Sequence, residues 1–361
     1  MGISAFNVSA CTQVHRVCEK SHAIAQHHQT EKVSLSRKNF KIIPQKIVLF
    51  ALPNKPIVKE PFNTNPYMFD YSNTTAMMLE QAKTREDALP LRNEKCRSKL
   101  FFQPHIAPKV FLFFHGFTAG PYQFEPLGEA LFQAGYNVIA PLQPGHGIAG
   151  DWNGDNPPPL AEDAQVYKQF VLEWLNQAKS LGQQLIVGGY STGGTLAAWL
   201  AQEYPQHIEK TLLFAPYLSG MNKLVDWLVE TLPFYYEWLN KDNPGNFGYE
   251  GFPIPAARIF LDMGQEILDR AKSTPATPML IISSASDQAT NLHEHQELFE
   301  SVLTYQPKSW YYCFDKNLDI PHTMMTELEG NKYLDQLITL AKTYIESDLT
   351  WTEAQEKGLL S

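Results

Sequence analysis

Six short apolar runs punctuate the chain beyond residue 98, separated by longer stretches whose apolar positions recur three and four apart. Val110-Phe111-Leu112-Phe113-Phe114 is apolar at every position, the pattern of a strand covered on both faces. Phe124, Leu127, Leu131 and Ala134 follow at helical spacing, and residues 136–141, with Val138-Ile139-Ala140 at their centre, give the next strand. The pattern predicts a helix over residues 164–178 with Val166, Phe170, Trp174 and Leu175 on one side. A strand over 185–189, a helix over 192–203 and a strand over 211–215 come next. Two more strands, 279–283 and 310–314, and a helix over 333–345 complete the series. Strands alternating with helices of this length predict an α/β architecture, a mostly parallel sheet with helices on both faces.

Between residues 215 and 279 the alternation breaks, and no strand is expected there. Two helical patterns, 221–232 and 256–271, surround a loop rich in aromatic residues, among them Trp227, Phe234, Tyr235, Tyr236, Trp238, Phe247, Tyr249 and Phe252. Ordinary helical packing is the plain reading of this stretch. A small helical cap over residues 217–273 is the functional one, because insertions at the carboxyl edge of an open sheet sit where ligands bind. Residues 1–40 read as a polar, poorly ordered extension, and 41–97 as a segment packing on the core, with a short helix over 76–82. The core itself is expected over 98–216 and 274–361.

The 361 residues are 44% hydrophobic, ample for a large core, and the net charge is −9. That acidic balance argues against nucleic acid and against tight docking on anionic lipid. The four cysteines, Cys11, Cys18, Cys96 and Cys313, match no zinc spacing. They read as free thiols, with a Cys11–Cys18 pair as the alternative. No run approaches the ~18 apolar residues of a membrane span, and residues 1–30 lack an apolar signal core. A cytoplasmic location is the expectation.

The candidate chemistry centres on Gly189-Tyr190-Ser191-Thr192-Gly193, between the strand at 185–189 and the helix at 192–203. A strand–turn–helix of this kind exposes the serine hydroxyl at the sheet edge, and the glycines let the backbone turn sharply. A serine needs a base to become nucleophilic, and the base needs an orienting acid. Beyond Ser191, Asp287 follows the strand at 279–283 and His322 follows the strand at 310–314. Asp315 and Asp319 also precede His322 and are alternatives for the acid. His293 and His295 read as surface residues at a helix start. An oxyanion needs two backbone N–H donors. Thr192 supplies one, and Phe117, in the loop His115-Gly116-Phe117-Thr118-Ala119-Gly120, supplies the other.

These residues, with Pro144-Gly145-His146-Gly147, carry a resemblance to the α/β-hydrolase superfamily over residues 98–346. Within it, the chain resembles the carboxylesterase and monoacylglycerol-lipase or lysophospholipase-like group. The resemblance implies the α/β-hydrolase fold and a serine esterase that needs no cofactor or metal. Ser191 would be the nucleophile, His322 the base, Asp287 the orienting acid, and Phe117 and Thr192 the oxyanion donors. His115, Gly116 and His146, with Trp227 and Trp238 of the cap, would shape the substrate cleft. The expected substrate is a small-molecule or lipid-like acyl ester with an apolar tail. A thioesterase, an acyltransferase and a non-catalytic ligand-binding relative are the alternatives. Two positions depart from the group's pattern: relatives often carry an apolar residue where Thr290 stands, and Pro321 precedes His322 in place of a small residue.

Overall fold

The computed structural model describes residues 70–219, 235–237 and 245–360. The extension at 1–40, the apolar run near residue 47, both cap tryptophans and the helix expected over 221–232 lie outside the described residues. So do Cys11 and Cys18; Cys96 and Cys313 are free thiols.

Helix α1 (Tyr71–Asp87) comes first and is ten residues longer than the seven-residue segment expected from the sequence. Asp70 caps it by accepting the Asn73 N–H. It is anchored at both ends: Tyr71 donates to Asn137 Oδ1 at 3.0 Å, and Glu86 accepts from the Ser98 hydroxyl and N–H. Strands β1 (Lys99–Phe101), β2 (Ala107–Phe114) and β3 (Asn137–Ala140) follow, with α2 (Glu125–Gln133) between β2 and β3. Next come α3 (Ala164–Ala178), β4 (Gly182–Tyr190), α4 (Thr192–Glu203) and β5 (Lys210–Phe214). Two short strands, β6 (Tyr235–Glu237) and β7 (Gly251–Pro253), precede α5 (Ile254–Ala271). The chain then runs through β8 (Met279–Ser284), α6 (Leu292–Leu303), β9 (Trp310–Phe314), α7 (Leu334–Glu346) and α8 (Trp351–Glu356).

Seven strands form one sheet in the order β1-β3-β2-β4-β5-β8-β9, with only β1 antiparallel. Parallel neighbours need helical crossovers, and those helices cover both faces. The continuous apolar run in β2 accordingly divides between two cores. Val110, Leu112 and Phe114 face the side of α3, α4 and α5, whereas Phe111 and Phe113 face the side of α2 and α7. Strand β8 alternates in the same way, Met279 and Ile281 against Leu280 and Ile282. Small residues Gly193, Gly194, Ala197, Ala198 and Ala201 let α4 lie nearly fully buried on the sheet.

Two expectations are corrected. The stretch between β5 and β8 does contain strands: β6 and β7 pair antiparallel, Tyr236 opposite Phe252. And α5, assigned to the cap from the sequence, buries Phe260, Leu261, Met263, Ile267 and Leu268 in the same core as α4. Its apolar face has the right period for either location, but only the core offers it a full partner surface. Among the described residues, no helix is long and apolar enough to cross a membrane.

Candidate active site

The register of the parallel strands brings their carboxyl ends to one edge. Phe114 lies opposite Gly189, Tyr190 opposite Phe214, and Ser284 opposite Phe314. Loops leaving β2, β4, β8 and β9 therefore begin side by side, although His115 and His322 are far apart in sequence.

At the end of β4 the chain turns through Ser191, whose φ of 55° and ψ of −121° place it in a region a side-chain-bearing residue rarely adopts. The turn is tight enough that a Cβ at Gly189 would overlap the Gly193 carbonyl, and one at Gly193 would overlap that of Phe114. Glycine at both positions is a steric requirement. Among the described residues, three other non-glycine residues have positive φ: Thr118, Ala215 and Asp319. All three lie in loops beyond strand carboxyl ends, so backbone strain is concentrated at this edge.

His322 Nε2 lies 3.0 Å from Ser191 Oγ, and His322 Nδ1 lies 2.8 Å from Asp287 Oδ2. Asp287 is buried and accepts three further hydrogen bonds: Ala289 N–H at 2.7 Å and Thr290 N–H at 3.2 Å on Oδ1, and the Thr290 hydroxyl at 2.7 Å on Oδ2. Burial works to raise its pKa. The neighbouring His322 and the donated hydrogen bonds outweigh burial and hold the carboxyl well below the usual carboxylate range. An ionised Asp287 fixes the proton on Nδ1 and leaves Nε2 as an acceptor for the serine O–H. The alternative acids lie elsewhere. Asp315 is exposed and caps a single helical turn by accepting the Asn317 N–H, and Asp319 is an exposed turn residue.

The Phe117 and Thr192 N–H groups donate to no other group among the described residues, and Thr192 is the first residue of α4. Phe117 packs its ring against Phe252 and Phe260, with centroids 5.0 and 5.5 Å apart. The loop before β7 closes on the same turn, where the Tyr249 N–H donates to the Thr118 carbonyl at 2.7 Å.

Three histidines depart from the sequence expectation. His115 and His146, expected to shape the substrate cleft, are buried and held by hydrogen bonds within their loops. His115 Nδ1 donates to the Gly116 carbonyl at 2.9 Å, and its Nε2 accepts the Gln143 N–H at 3.1 Å. His146 Nδ1 donates to the Pro144 carbonyl at 3.0 Å. The two rings sit edge to face at 5.0 Å and fasten the β2 loop to the loop beyond β3. Gly116 donates its N–H to Gln123 Oε1 at 3.0 Å. His293 is exposed as expected, but His295 is fully buried between Ser283 Oγ at 2.8 Å and the Pro216 carbonyl at 2.7 Å. The spacing of His295 on α6, one turn before Leu298 and Phe299, is the signal that could have placed it inward.

Comparison with known proteins agrees with this architecture. A family profile for the alpha/beta hydrolase fold matches residues 109–258. A thermostable monoacylglycerol lipase from Bacillus sp. (strain H-257) is 35% identical over 104 residues, 29% of this chain. The match spans 39% of that relative's length. A soluble variant of monoglyceride lipase from Saccharomyces cerevisiae, solved with a substrate analogue, superposes with a TM-score of 0.56 at 15% identity, covering 69% of this chain and 91% of that one. The monoacylglycerol lipase of Paleococcus ferrophilus superposes with a TM-score of 0.55 at 15% identity, covering 69% and 97%. The sheet order and these likenesses show the α/β-hydrolase fold, and over part of its length the chain is similar to a monoacylglycerol lipase.

Proposed function

We propose that this protein is a serine carboxylic-ester hydrolase acting on acyl esters with an apolar tail, monoacylglycerols among them. The observation that carries the reading is the unbroken line from Ser191 Oγ through His322 to the buried Asp287, with links of 3.0 and 2.8 Å. Ser191 attacks the ester carbonyl as His322 Nε2 takes its proton. The carbonyl oxygen becomes an oxyanion and is met by the Phe117 and Thr192 N–H groups. Collapse breaks the bond to the alcohol, which leaves with the proton from His322, and the acyl group stays on Ser191. A water molecule, deprotonated by His322, then attacks the acyl-enzyme, and the fatty acid departs as Ser191 regains its proton. Asp287 remains ionised throughout and stabilises the imidazolium that forms twice per cycle.

The substrate class rests on the similar monoacylglycerol lipases and on the aromatic character of residues 227–252. The test is hydrolysis of p-nitrophenyl esters of increasing acyl length, beside monoacylglycerol and lysophospholipid. Turnover with a rise along the acyl series is expected. No turnover of any ester, with no labelling of Ser191 by a fluorophosphonate, overturns the reading. Product analysis with added alcohol separates hydrolysis from acyl transfer.

A further inference from the structure

Glu329 is a buried carboxyl that the proposed chemistry does not use. It lies in the loop after β9, seven residues beyond His322, with no lysine or arginine paired to it among the described residues. Its Oε1 accepts the Gln123 amide N–H at 2.9 Å, and its Oε2 accepts the Thr326 hydroxyl at 3.0 Å. The backbone of Glu329 joins the same net. Its N–H donates to Thr326 Oγ at 3.1 Å, and its carbonyl accepts the hydroxyl of Thr323, the residue after His322, at 2.8 Å.

Gln123 is equally buried and points both ways: its Nε2 faces Glu329, and its Oε1 accepts the Gly116 N–H. The Gly116 carbonyl is held too, by His115 Nδ1 and by the Ala119 N–H. A two-residue bridge thus runs from the peptide just before Phe117 to the loop that carries His322. Its ends are 206 residues apart in sequence. We propose that Glu329 is a positioning residue, which through Gln123 fixes the peptide preceding Phe117 and through its own loop fixes His322, so that oxyanion donor and base share one alignment.

Burial pushes the Glu329 carboxyl up to about 7, against the hydrogen bonds from Gln123 and Thr326. A core position gains nothing from such a group by packing alone, whereas a bidentate acceptor at this point suits the Gln123 amide and the Thr326 hydroxyl together. The orientation of Gln123 follows from the same need. Were its amide reversed, an N–H would face the Gly116 N–H.

The inference rests on the esterase reading, and the test separates the two. Glu329→Ala and Gln123→Met are compared with wild type for kcat, KM and the second-order rate of fluorophosphonate labelling, with thermal melting run alongside. Gln123→Met keeps the volume, so the bridge can be cut without opening a cavity. Both variants should lose about 10- to 100-fold in kcat and in labelling rate, with KM changed by about threefold or less. Glu329→Gln, which keeps an acceptor for Gln123, should recover most of the rate. The double variant should be no worse than the poorer single one, because both cut one path. Unchanged kcat and labelling in folded Glu329→Ala or Gln123→Met overturns the bridge alone. A loss additive in the double variant also overturns it, as does a loss confined to KM. Wild-type protein that neither turns over esters nor labels at Ser191 overturns the esterase reading and the bridge together.

Discussion

Thr290 donates its hydroxyl to Asp287 Oδ2, the oxygen that also receives His322 Nδ1. An apolar residue at this place would have no side-chain hydroxyl, so Thr290 holds Asp287 with a donor that such a residue lacks. Replacing Thr290 by valine keeps the shape and removes that bond. A hydrogen bond to a charged group contributes about 1.5–3 kcal/mol, so kcat should fall about tenfold or somewhat more, with folding retained. Thr290→Ser should recover most of it. Steady-state kinetics on a short p-nitrophenyl ester decide the matter: equal rates for the valine and wild-type proteins would mean that the extra donor is idle.

Asp287→Asn should cost far more, about 10⁴-fold in kcat, because an amide no longer dictates which imidazole nitrogen carries the proton. Asp315→Asn and Asp319→Asn should match wild type, since both side chains are exposed and away from His322. The reverse pattern in the three rate constants would assign the acid elsewhere.

Ser191→Ala should abolish ester turnover, by about 10⁴-fold or more, and remove fluorophosphonate labelling while leaving the melting temperature close to wild type. Residual turnover within tenfold of wild type would point to a different nucleophile.

The Gly-x-Ser-x-Gly turn was legible because its neighbours on both sides have strong, opposite periodicities. Asp287 and His322 were legible from their distance past a strand end. The buried roles of Gln123 and Glu329 were not. Each depends on a partner brought near by the sheet register, 206 residues away for Gln123 and Glu329, and local pattern carries no trace of such a pairing. Helix α5 was recognised as a helical pattern over 256–271, but such a pattern does not say which surface the helix will meet. Strands β1, β6 and β7, with three residues each, are too short to show a period.

Stability should fall on acidification, and the sign follows from the buried groups. Burial holds His146 and His295 at about 4, against an ordinary value of 6.5, and holds His115 well below it. The unfolded chain therefore takes up protons that the folded one refuses as pH drops from 6.5 toward 4. His146 and His295 each remove on the order of 3 kcal/mol across that window, and His115 acts in the same direction. Glu329 acts the other way: its contribution is complete below 4.5 and is lost as pH rises through about 7. Three groups oppose one, so urea midpoints should drop between pH 7 and pH 4.5. Glu329→Gln should be more stable relative to wild type at pH 8 than at pH 5. A flat wild-type profile would contradict the burial of these histidines.

Acyl-length preference should reside in residues 221–250, which follow β5, and not in α5. Substituting that segment by a short linker should flatten the dependence of kcat/KM on chain length, where each buried CH₂ otherwise contributes roughly 0.8 kcal/mol. Labelling by a small fluorophosphonate should persist. Removing α5 as well should yield insoluble protein, because Phe260, Met263 and Ile267 would leave α4 uncovered. A flat acyl profile in the intact protein would refute the assignment.

The backbone at Ser191 carries a further implication for how this protein can evolve. A left-handed turn at a residue with a side chain costs about 1–3 kcal/mol, and glycine there would recover part of it. A library sorted purely for heat resistance should therefore enrich glycine at position 191 and discard the hydroxyl. The least relaxed peptide of the β4–α4 turn is the one that only a demand for turnover would preserve, so robustness and reactivity draw this position in opposite directions.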